Sequence, residues 1–432
     1  MEKPLVAFIG LSHLGLVASC CWTNIDKPVL GIDIDKNQVD NLQNGHVSLS
    51  EPGLQEYFNK VKKDYQVSTD FSLLKKSNIV FISKDTSIKE NGESSTKKLD
   101  QLIYKALPYL KNRVVLVLMS QVPLGYCRGL ENRIREKRNG LNFTLFHWVD
   151  TIIMTNAIDR FLNPERIILG ASSPIKKLPT KFTNKLTKFK CPIITMSFES
   201  AEVTKAAINL YLATSVAFAN TLGDYCEAFG ANINEIIPAL QTDKRIGPFA
   251  YLRPGLRISG GHLERDLVML KKLGKSKNIN LGIVNYILKM NKNRYNWVTK
   301  NTENLFQNNR TPVLGIWGLA YKKNTDSIHN AASVKILNKL KSKAKFKVYD
   351  PQALLNCNKY SAVQVKDKYD AITNVDCLII LTDWEEFKNI DQKRFNNLLK
   401  GKLVVDATGI LAKNLDNTSF KYVGLGVGNS SL

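Results

Sequence analysis

Apolar runs and helix-like patterns alternate along the first half of the chain. The candidate strands are residues 5–10, 29–33, 78–83, 114–119 and 166–169. Short apolar runs separated by helical periodicity are typical of parallel strands that are joined by crossover helices. The pattern therefore predicts a doubly wound parallel sheet over residues 1–195, with the polar stretch 84–98 as a loop.

The pattern changes after residue 195. Residues 201–229 are apolar at helical spacing and contain no proline, which predicts one long helix. Further helical patterns follow at 232–240 and 263–273. A second, smaller parallel sheet is then predicted by four apolar runs, at 312–317, 345–349, 376–381 and 402–406.

The predicted fold is thus α/β, with two Rossmann-like doubly wound parallel sheets joined by a helical domain that has a long central helix. A chain of 432 residues is too long for one core, and its length suggests about three domains. We place them at residues 1–195, 196–300 and 301–432.

The first strand, helix and second strand carry the most informative motif. Gly10 ends the first strand, Gly15 opens the helical pattern and Asp33 ends the second strand, which is the arrangement of a βαβ dinucleotide site. Gly10 would allow the tight turn, Gly15 would allow close packing, and the N–H groups that begin the helix would hold a pyrophosphate. Asp33 would accept hydrogen bonds from the adenosine ribose, which favours NAD over NADP.

One position departs from that motif. Ser12 stands where the middle glycine is expected, and its Cβ would crowd the pyrophosphate. The alternative interpretation is an ordinary strand, turn and helix that bind no ligand.

Composition excludes few classes of protein. The chain has 61 Lys and Arg against 38 Asp and Glu, a net charge of +23, which indicates either attraction to polyanions or a lysine-rich proteome. The lysines are dispersed and no nucleic-acid module is visible. No apolar run approaches the ~18 residues that span a bilayer, and the N-terminus lacks a signal-peptide pattern. Seven scattered cysteines without metal-ligand spacing predict no metal site and a reducing cytoplasm.

Several short segments, taken together and in order, resemble the UDP-glucose/GDP-mannose dehydrogenase family over nearly the whole chain. They are EPGL at 51–54, SQVPLG at 120–125, DRFLNPERIILG at 159–170, the AExxKxxxN helix at 201–209, RIG at 245–247, YKKNTD at 321–326 and TDW at 382–384. The resemblance implies that the first domain binds NAD, the helical domain makes a homodimer or larger assembly, and the last domain binds a nucleotide-diphosphate sugar, with a UDP-sugar as the first candidate.

The resemblance also implies a chemistry. Members of the family oxidise the C6 alcohol of a nucleotide-linked sugar to a carboxylate with two NAD and two hydride transfers, through a thioester on a cysteine. The implied catalytic residues are Lys205, Asn209, His262, Asp266 and Asp150. The implied cofactor-binding residues are Gly10, Ser12, His13, Leu14, Gly15, Asp33, Thr86, Ser120 and Gln121, and the implied substrate-binding residues are Arg245, Tyr251 and Lys322.

The chain departs from the family where the thiol should be. The motif GxGFGGxCxxKD aligns with 255–266, so His262 replaces the cysteine and Arg265 the lysine. No cysteine lies between Cys226 and Cys357. Further replacements fall on the water-positioning threonine, two glutamates, the arginine of a TDDxR motif and the pair at the end of a DxRN motif, at Gln121, Asp150, Met154, His329 and Thr408–Gly409.

An imidazole does not replace a thiol in thioester formation, so we predict a single two-electron oxidation or an oxidation–reduction epimerisation. Lys205 or His262 would take the alcohol proton, and Asn209 would hold the oxygen. His262 could equally be a neutral histidine that only fills the vacated space. Two alternatives stay open at this point: a conventional 6-dehydrogenase that makes a uronate, and an inactive protein that binds NAD and a nucleotide sugar.

Overall fold

The computed structural model describes residues 5–88, 94–173, 178–258, 262–307, 310–415 and 419–428. The chain divides into two compact units, residues 1–208 and 209–432. The division falls inside the long helix, and the predicted domain boundaries stay a prediction.

The described residues of unit 1 form ten strands. They are β1 (Leu5–Ile9), β2 (Val29–Ile32), β3 (Tyr65–Ser68), β4 (Ser77–Ile82), β5 (Ser87–Ile88), β6 (Ser94–Ser95), β7 (Val114–Leu118), β8 (Phe143–Trp148), β9 (Ile167–Ala171) and β10 (Ile193–Ser197). Its helices are α1 (His13–Trp22), α2 (Lys36–Gln43), α3 (Leu54–Val61), α4 (Lys97–Ala106), α5 (Tyr126–Lys137), α6 (Ala157–Leu162) and α7 (Thr180–Leu186).

Eight of these strands form one sheet in the order β10-β9-β8-β7-β4-β1-β2-β3. Neighbours run parallel except β8 and β9, which pair antiparallel over only two residue pairs. An antiparallel edge on an otherwise parallel sheet is common in doubly wound folds. Apolar clusters cover both faces of the sheet, and one includes Phe8 stacked on Phe81 with ring centroids 4.4 Å apart.

Every strand predicted in unit 1 is present, but β3, β5, β6, β8 and β10 were not predicted. The edge strands β3 and β10 alternate with polar or exposed residues, so their apolar signal is weak. The prediction of a loop over 84–98 is wrong in two places. β5 and β6 form a short antiparallel pair there, and α4 begins at Lys97 because Leu99, Leu102 and Ile103 bury one helical face.

α8 (Phe198–Phe229) is the predicted long helix, and it begins in unit 1 and ends in unit 2. The other helices of unit 2 are α9 (Ile233–Thr242), α10 (His262–Ser276), α11 (Gly282–Asn293), α12 (Asn296–Asn301), α13 (Ala332–Leu340), α14 (Lys368–Ile372) and α15 (Gln392–Leu398). Its strands are β11 (Val313–Trp317), β12 (Lys345–Tyr349), β13 (Ala362–Gln364), β14 (Cys377–Ile380), β15 (Leu403–Asp406) and β16 (Lys421–Gly424).

The sheet of unit 2 has the order β13-β12-β11-β14-β15-β16, and all neighbours run parallel. The prediction of a second, smaller parallel sheet is therefore confirmed. Two parallel α/β sheets and a helical region are present, as the sequence pattern indicates. Among the described residues, none of the helices has the length and apolarity that crossing a membrane requires.

Candidate functional site

The turn between β1 and α1 requires its two glycines. Gly10 has a φ of +91°, and a Cβ on it would lie 2.6 Å from the Cβ of Lys84. A Cβ on Gly15 would overlap the carbonyl oxygen of Gly10. The first turn of α1 therefore lies directly against the end of β1, as a βαβ dinucleotide site needs.

Asp33 lies at the carboxyl end of β2 and is fully buried. Its Oδ2 accepts hydrogen bonds from the Leu11 N–H at 2.6 Å and from the Lys84 ammonium at 2.8 Å. Its Oδ1 accepts one from the Asp35 N–H at 3.1 Å. The carboxylate assigned to the ribose thus has a cation beside it that the sequence pattern did not identify.

The side chain of Asp85, a residue that follows β4, lies at the N-terminus of α1. Its Oδ2 accepts a hydrogen bond from the Leu14 N–H at 3.3 Å, and its own N–H donates to Ser12 Oγ at 2.7 Å. Negative groups are stabilised at a helix N-terminus, so this carboxylate is well placed. It uses a backbone donor that a pyrophosphate would also use.

His13, the first residue of α1, contacts a buried carboxylate. Its Nε2 lies 2.8 Å from Oε2 of Glu51. The same oxygen accepts a hydrogen bond from the Thr155 N–H at 2.9 Å, and Oε1 of Glu51 accepts one from the Ala157 N–H at 2.8 Å. Glu51 belongs to the EPGL segment and links the start of α1 to the start of α6. This segment carries part of the resemblance to the family, but Glu51 was not among the predicted site residues.

Three further predicted cofactor residues follow β4 and β7. Thr86 Oγ1 donates a hydrogen bond to the carbonyl oxygen of Gln121 at 3.1 Å. Ser120 is buried, and its hydroxyl donates to the carbonyl oxygen of Ile82 at 3.4 Å. The carboxyl ends of β1, β2, β4 and β7 therefore bring all nine predicted cofactor residues to one edge of the sheet.

Lys205 and Asp150 meet at the same edge. The Lys205 ammonium donates a hydrogen bond to the backbone carbonyl of Asp150, which follows β8. Glu202 holds the start of α8 in place, because it accepts a hydrogen bond from the Cys127 N–H at 2.7 Å. One helical turn separates Glu202 from Lys205, so this anchor also positions the lysine.

Burial changes the acidity of two groups near Lys205. It raises the pKa of the Asp150 carboxyl above its ordinary value, with Lys205 opposing and Asp85 adding to the shift. The pKa of His147, near the end of β8, is lowered to about 4, mainly by burial and also by the charge of Lys205. The His147 ring therefore stays neutral, with its Nδ1 3.2 Å from the carbonyl oxygen of Leu118. His147 was not among the predicted site residues, because a histidine within an apolar strand carries no sequence signal that distinguishes it from a core residue.

In unit 2, Asn209 and Asp266 form a buried pair. Asn209 Nδ2 donates a hydrogen bond to Asp266 Oδ2 at 2.6 Å, and Arg265 Nε lies 3.3 Å from Asp266 Oδ1. Asn209 follows Lys205 by four residues on α8, so the two share a helical face. Asp266 lies on α10, which begins at His262; the side chain of His262 is outside the described residues.

A cavity of about 240 Å³ lies within unit 2. Its lining includes the basic residues Arg253, Arg257 and Lys322. Of the three predicted substrate residues, the structure brings only Lys322 to this cavity. Tyr251 is half exposed elsewhere, and the Arg245 side chain is 87% exposed and pairs with Asp243 at 2.6 Å.

Arg257 is the least expected of these basic residues. It stands at the second glycine of the aligned GxGFGGxCxxKD motif, its side chain is 5% exposed, and it pairs with Glu264 at 3.0 Å. Its Nε is buried and, within the part of the chain that the structure describes, has no hydrogen-bond acceptor. The replaced glycine is the sequence signal that could have identified it.

NAD fits the retained features of unit 1, namely the glycine turn, the helix start and the buried carboxylate of Asp33. The charged side chains of Lys84 and Asp85 are the features that do not belong to the dinucleotide pattern. Both lie in the stretch 84–98, which the sequence pattern presented only as a polar loop.

Three models of one family match the chain in order. The NAD-binding domain of the UDP-glucose/GDP-mannose dehydrogenase family matches residues 4–186, its central domain 199–293 and its UDP-binding domain 315–413. The chain is 27% identical to UDP-glucose 6-dehydrogenase of Rickettsia bellii over 438 residues, which covers 98% of this chain and 99% of that protein. It is 26% identical to UDP-glucose 6-dehydrogenase TuaD of Bacillus subtilis over 430 residues, which covers 98% of this chain and 93% of that protein.

Solved structures show the same fold. A UDP-glucose dehydrogenase from Pyrobaculum islandicum superposes with a TM-score of 0.85 at 24% identity, covering 99% of this chain and 98% of that one. A UDP-D-ManNAc dehydrogenase from Pyrococcus horikoshii superposes with a TM-score of 0.86 at 19% identity, covering 99% and 100%. The predicted fold class, the NAD cofactor and the enzyme class are confirmed at this level. The chain belongs to the UDP-glucose/GDP-mannose dehydrogenase family of NAD-dependent oxidoreductases.

Proposed function

We propose that this protein removes a single hydride from a nucleotide-diphosphate sugar, giving an aldehyde or keto sugar, or an epimer where the hydride returns. The observation that carries the proposal is His262 at the position of the thiol nucleophile, in a chain that lacks a cysteine between Cys226 and Cys357. A thioester needs that thiol, whereas one hydride transfer needs only a bound sugar, a base and a hydride acceptor. NAD, when bound, supplies the hydride acceptor.

In this proposal the oxygen-binding group comes from α8, and the base comes from α8 or from the first residue of α10. Lys205 or His262 takes the proton of the sugar hydroxyl while the carbon loses its hydride. Asn209 donates a hydrogen bond to the oxygen, because its amide has two N–H groups and Asp266 occupies one of them at 2.6 Å. Asp266 thereby fixes the direction of the amide, and its retention supports an active enzyme.

The substrate class rests on unit 2. A match to the family's UDP-binding domain and a cavity lined by Arg253, Arg257 and Lys322 support a nucleotide diphosphate as the common part of the substrate. The relatives named above are UDP-sugar dehydrogenases, so a UDP-sugar is the first candidate. Arg245 and Tyr251 do not line this cavity, and their predicted roles in substrate binding stay predictions.

A conventional 6-dehydrogenase is the second candidate, because the curated relatives carry that name. It would have to form and hydrolyse its acyl intermediate without the thiol, and with Gln121 and Met154 at two positions that handle water in the family. The third candidate is an inactive protein that binds NAD and a nucleotide sugar. The absence of the thiol and of the two water-handling groups favours an inactive protein, whereas the Asn209–Asp266 pair argues against an inactive protein.

Counting the NADH formed per sugar, together with mass spectrometry of the sugar, separates these candidates. The purified protein is incubated with NAD and a panel of UDP-, GDP- and CDP-sugars. One NADH and a product that has lost two hydrogens, or no net NADH and a sugar of unchanged mass but new configuration, is the expected result. Two NADH with a product that has gained one oxygen and lost two hydrogens would show the proposal to be wrong. An unchanged sugar with no NADH would identify a binding protein.

We also propose a homodimer or larger assembly. Four aromatic residues of α8, namely Tyr211, Phe218, Tyr225 and Phe229, are between 51% and 79% exposed. Their spacing of seven, seven and four residues puts them along one side of the helix. A stripe of this kind is typical of a surface that is covered by another subunit.

A further inference from the structure

Two adjacent charged residues, Lys84 and Asp85, contact both halves of the dinucleotide motif in unit 1. They follow β4, whose carboxyl end lies beside that of β1 in the sheet. Lys84 binds the carboxylate of Asp33, which is predicted to bind the ribose, and Asp85 binds the first turn of α1. Each of the two residues therefore lies at a place where a part of NAD would bind.

Asp85 takes the place of an anion at α1. Its carboxylate accepts from the Leu14 N–H at 3.3 Å, and its backbone N–H is held by Ser12 Oγ at 2.7 Å. Ser12 is the residue that replaces the middle glycine of the motif. The departure from the motif therefore has a structural use, because the serine hydroxyl positions Asp85 at the helix terminus.

A carboxylate and a pyrophosphate compete at such a terminus. Both are stabilised by the same N–H groups and the same helix dipole, and like charges in contact repel each other. A pyrophosphate that binds here must therefore displace Asp85 or remain close to its negative charge.

Lys84 likewise occupies a hydrogen-bonding position on Asp33 that the ribose of NAD would use. Oδ2 of Asp33 already accepts from the Leu11 N–H at 2.6 Å, and the Lys84 ammonium at 2.8 Å takes its second lone pair. Asp33 is fully buried and Lys84 is mostly buried, with 17% of its side chain exposed. A ribose hydroxyl can therefore reach this carboxylate oxygen only after the ammonium has moved.

We propose that Lys84 and Asp85 are a tethered occupant of the adenosine and pyrophosphate parts of the NAD site, which NAD must displace in order to bind. The pair thus sets the affinity for NAD and holds the free protein in a self-inhibited state. The inference rests on the cofactor of the family and on contacts inside unit 1. It does not depend on the proposed two-electron chemistry, because binding is measured without turnover.

Calorimetric titration with NAD, ADP-ribose and adenosine tests each contact separately. Asp85→Asn removes the charge and keeps the shape of the side chain. It should raise the affinity for NAD and for ADP-ribose by about tenfold, which is the effect of relieving one charge repulsion. The affinity for adenosine, which lacks the pyrophosphate, should change less than about twofold. Ser12→Gly should act in the same direction, because it releases the backbone of Asp85.

Lys84→Met should tighten all three ligands, since each contains the ribose that competes for Asp33. Lys84→Arg keeps the cation and should bind NAD no more tightly than the wild-type protein. Asp70→Asn is the matched control, because it removes the same charge from an exposed carboxylate of unit 1. Thermal unfolding of each variant shows whether Asp33 without its cation still permits folding, and Asp85→Asn tests the proposal if Lys84→Met does not fold.

The proposal is overturned if NAD affinity in Asp85→Asn stays within about twofold of the wild type and of Asp70→Asn. A weaker affinity would overturn it as well, because Asp85 would then contribute to binding. Absence of measurable NAD binding in the wild type and in every folded variant would also count against it.

Discussion

At the scale of single residues, the proposed two-electron chemistry rests on His262. If its imidazole transfers a proton, His262→Ala should lower the rate of hydride transfer by roughly 10²–10⁴. His46→Ala, which changes an exposed histidine of unit 1, is the control and should leave the rate unchanged. A rate for His262→Ala within a few-fold of the wild type would mean that the imidazole only fills space.

The reverse substitution is a separate prediction. His262→Cys restores the thiol, but Gln121 and Met154 still lack the water-handling groups of the family. We therefore expect little or no uronate from this variant. Mass spectrometry of the sugar product measures it, and abundant uronate would show that the thiol alone was missing.

His147 makes the stability of unit 1 depend on pH. Its pKa is lowered from 6.5 to about 4 by burial, so the unfolded chain binds a proton at a pH where the folded ring stays neutral. The stabilisation is complete above pH 6.5 and is lost as the pH falls from 6.5 to about 4. Between pH 7 and pH 5 the loss amounts to about 2 kcal/mol.

His147→Gln should remove this loss, because glutamine does not titrate. Urea unfolding of both proteins at pH 7 and pH 5 measures the difference. The variant is compared with itself across pH, so a lower starting stability does not affect the result. Equal pH dependence in the two proteins would contradict the assignment to His147.

At the scale of elements, the segment before α10 presents Arg257 to the cavity of unit 2. Its buried guanidinium has one ion pair and an Nε that lacks an acceptor among the described residues, which suits a ligand oxygen. Arg257→Ala should weaken nucleotide-sugar binding by roughly 10- to 100-fold, the usual range for a charge-assisted contact.

Arg310→Ala is the matched control for that change. Arg310 is an arginine of the same unit whose side chain is 70% exposed and paired with Asp376 on the surface. Titration calorimetry with a UDP-sugar compares the two variants. If both variants bind like the wild type, Arg257 serves only to hold Glu264.

At the scale of the whole molecule, the aromatic stripe of α8 predicts self-association. Phe218→Glu together with Tyr225→Glu puts two charges into the middle of that stripe, and a covered apolar surface does not tolerate them. Light scattering should show a dimer or larger species for the wild type and a monomer for the double variant. Val363→Glu alters an equally exposed apolar residue outside α8 and should leave the assembly intact. A monomeric wild type would refute the prediction.

Much of the fold follows from local patterns in the sequence. β1, β2, β4 and β7 are mainly apolar runs because they are buried on both faces, and α8 could be predicted as one helix because its apolar residues recur at helical spacing without a proline. Edge strands such as β3 and β13 were missed, since a strand that is exposed on one side carries a weak apolar signal. The glycine turn and Asp33 could be predicted from the sequence, because the conformation of a turn and the end of a strand depend on residues that are adjacent in the chain.

The sequence by itself determined the two sheets, the long helix and the family, because each of these depends on residue type and local order. Only the tertiary structure decided what surrounds the predicted residues. It brings Lys84 to Asp33 and Asp85 to α1 across about fifty and seventy residues of chain, and it aligns Asn209 with Asp266. Contacts of that length arise where strands and helices from distant segments pack together, and no local pattern records them.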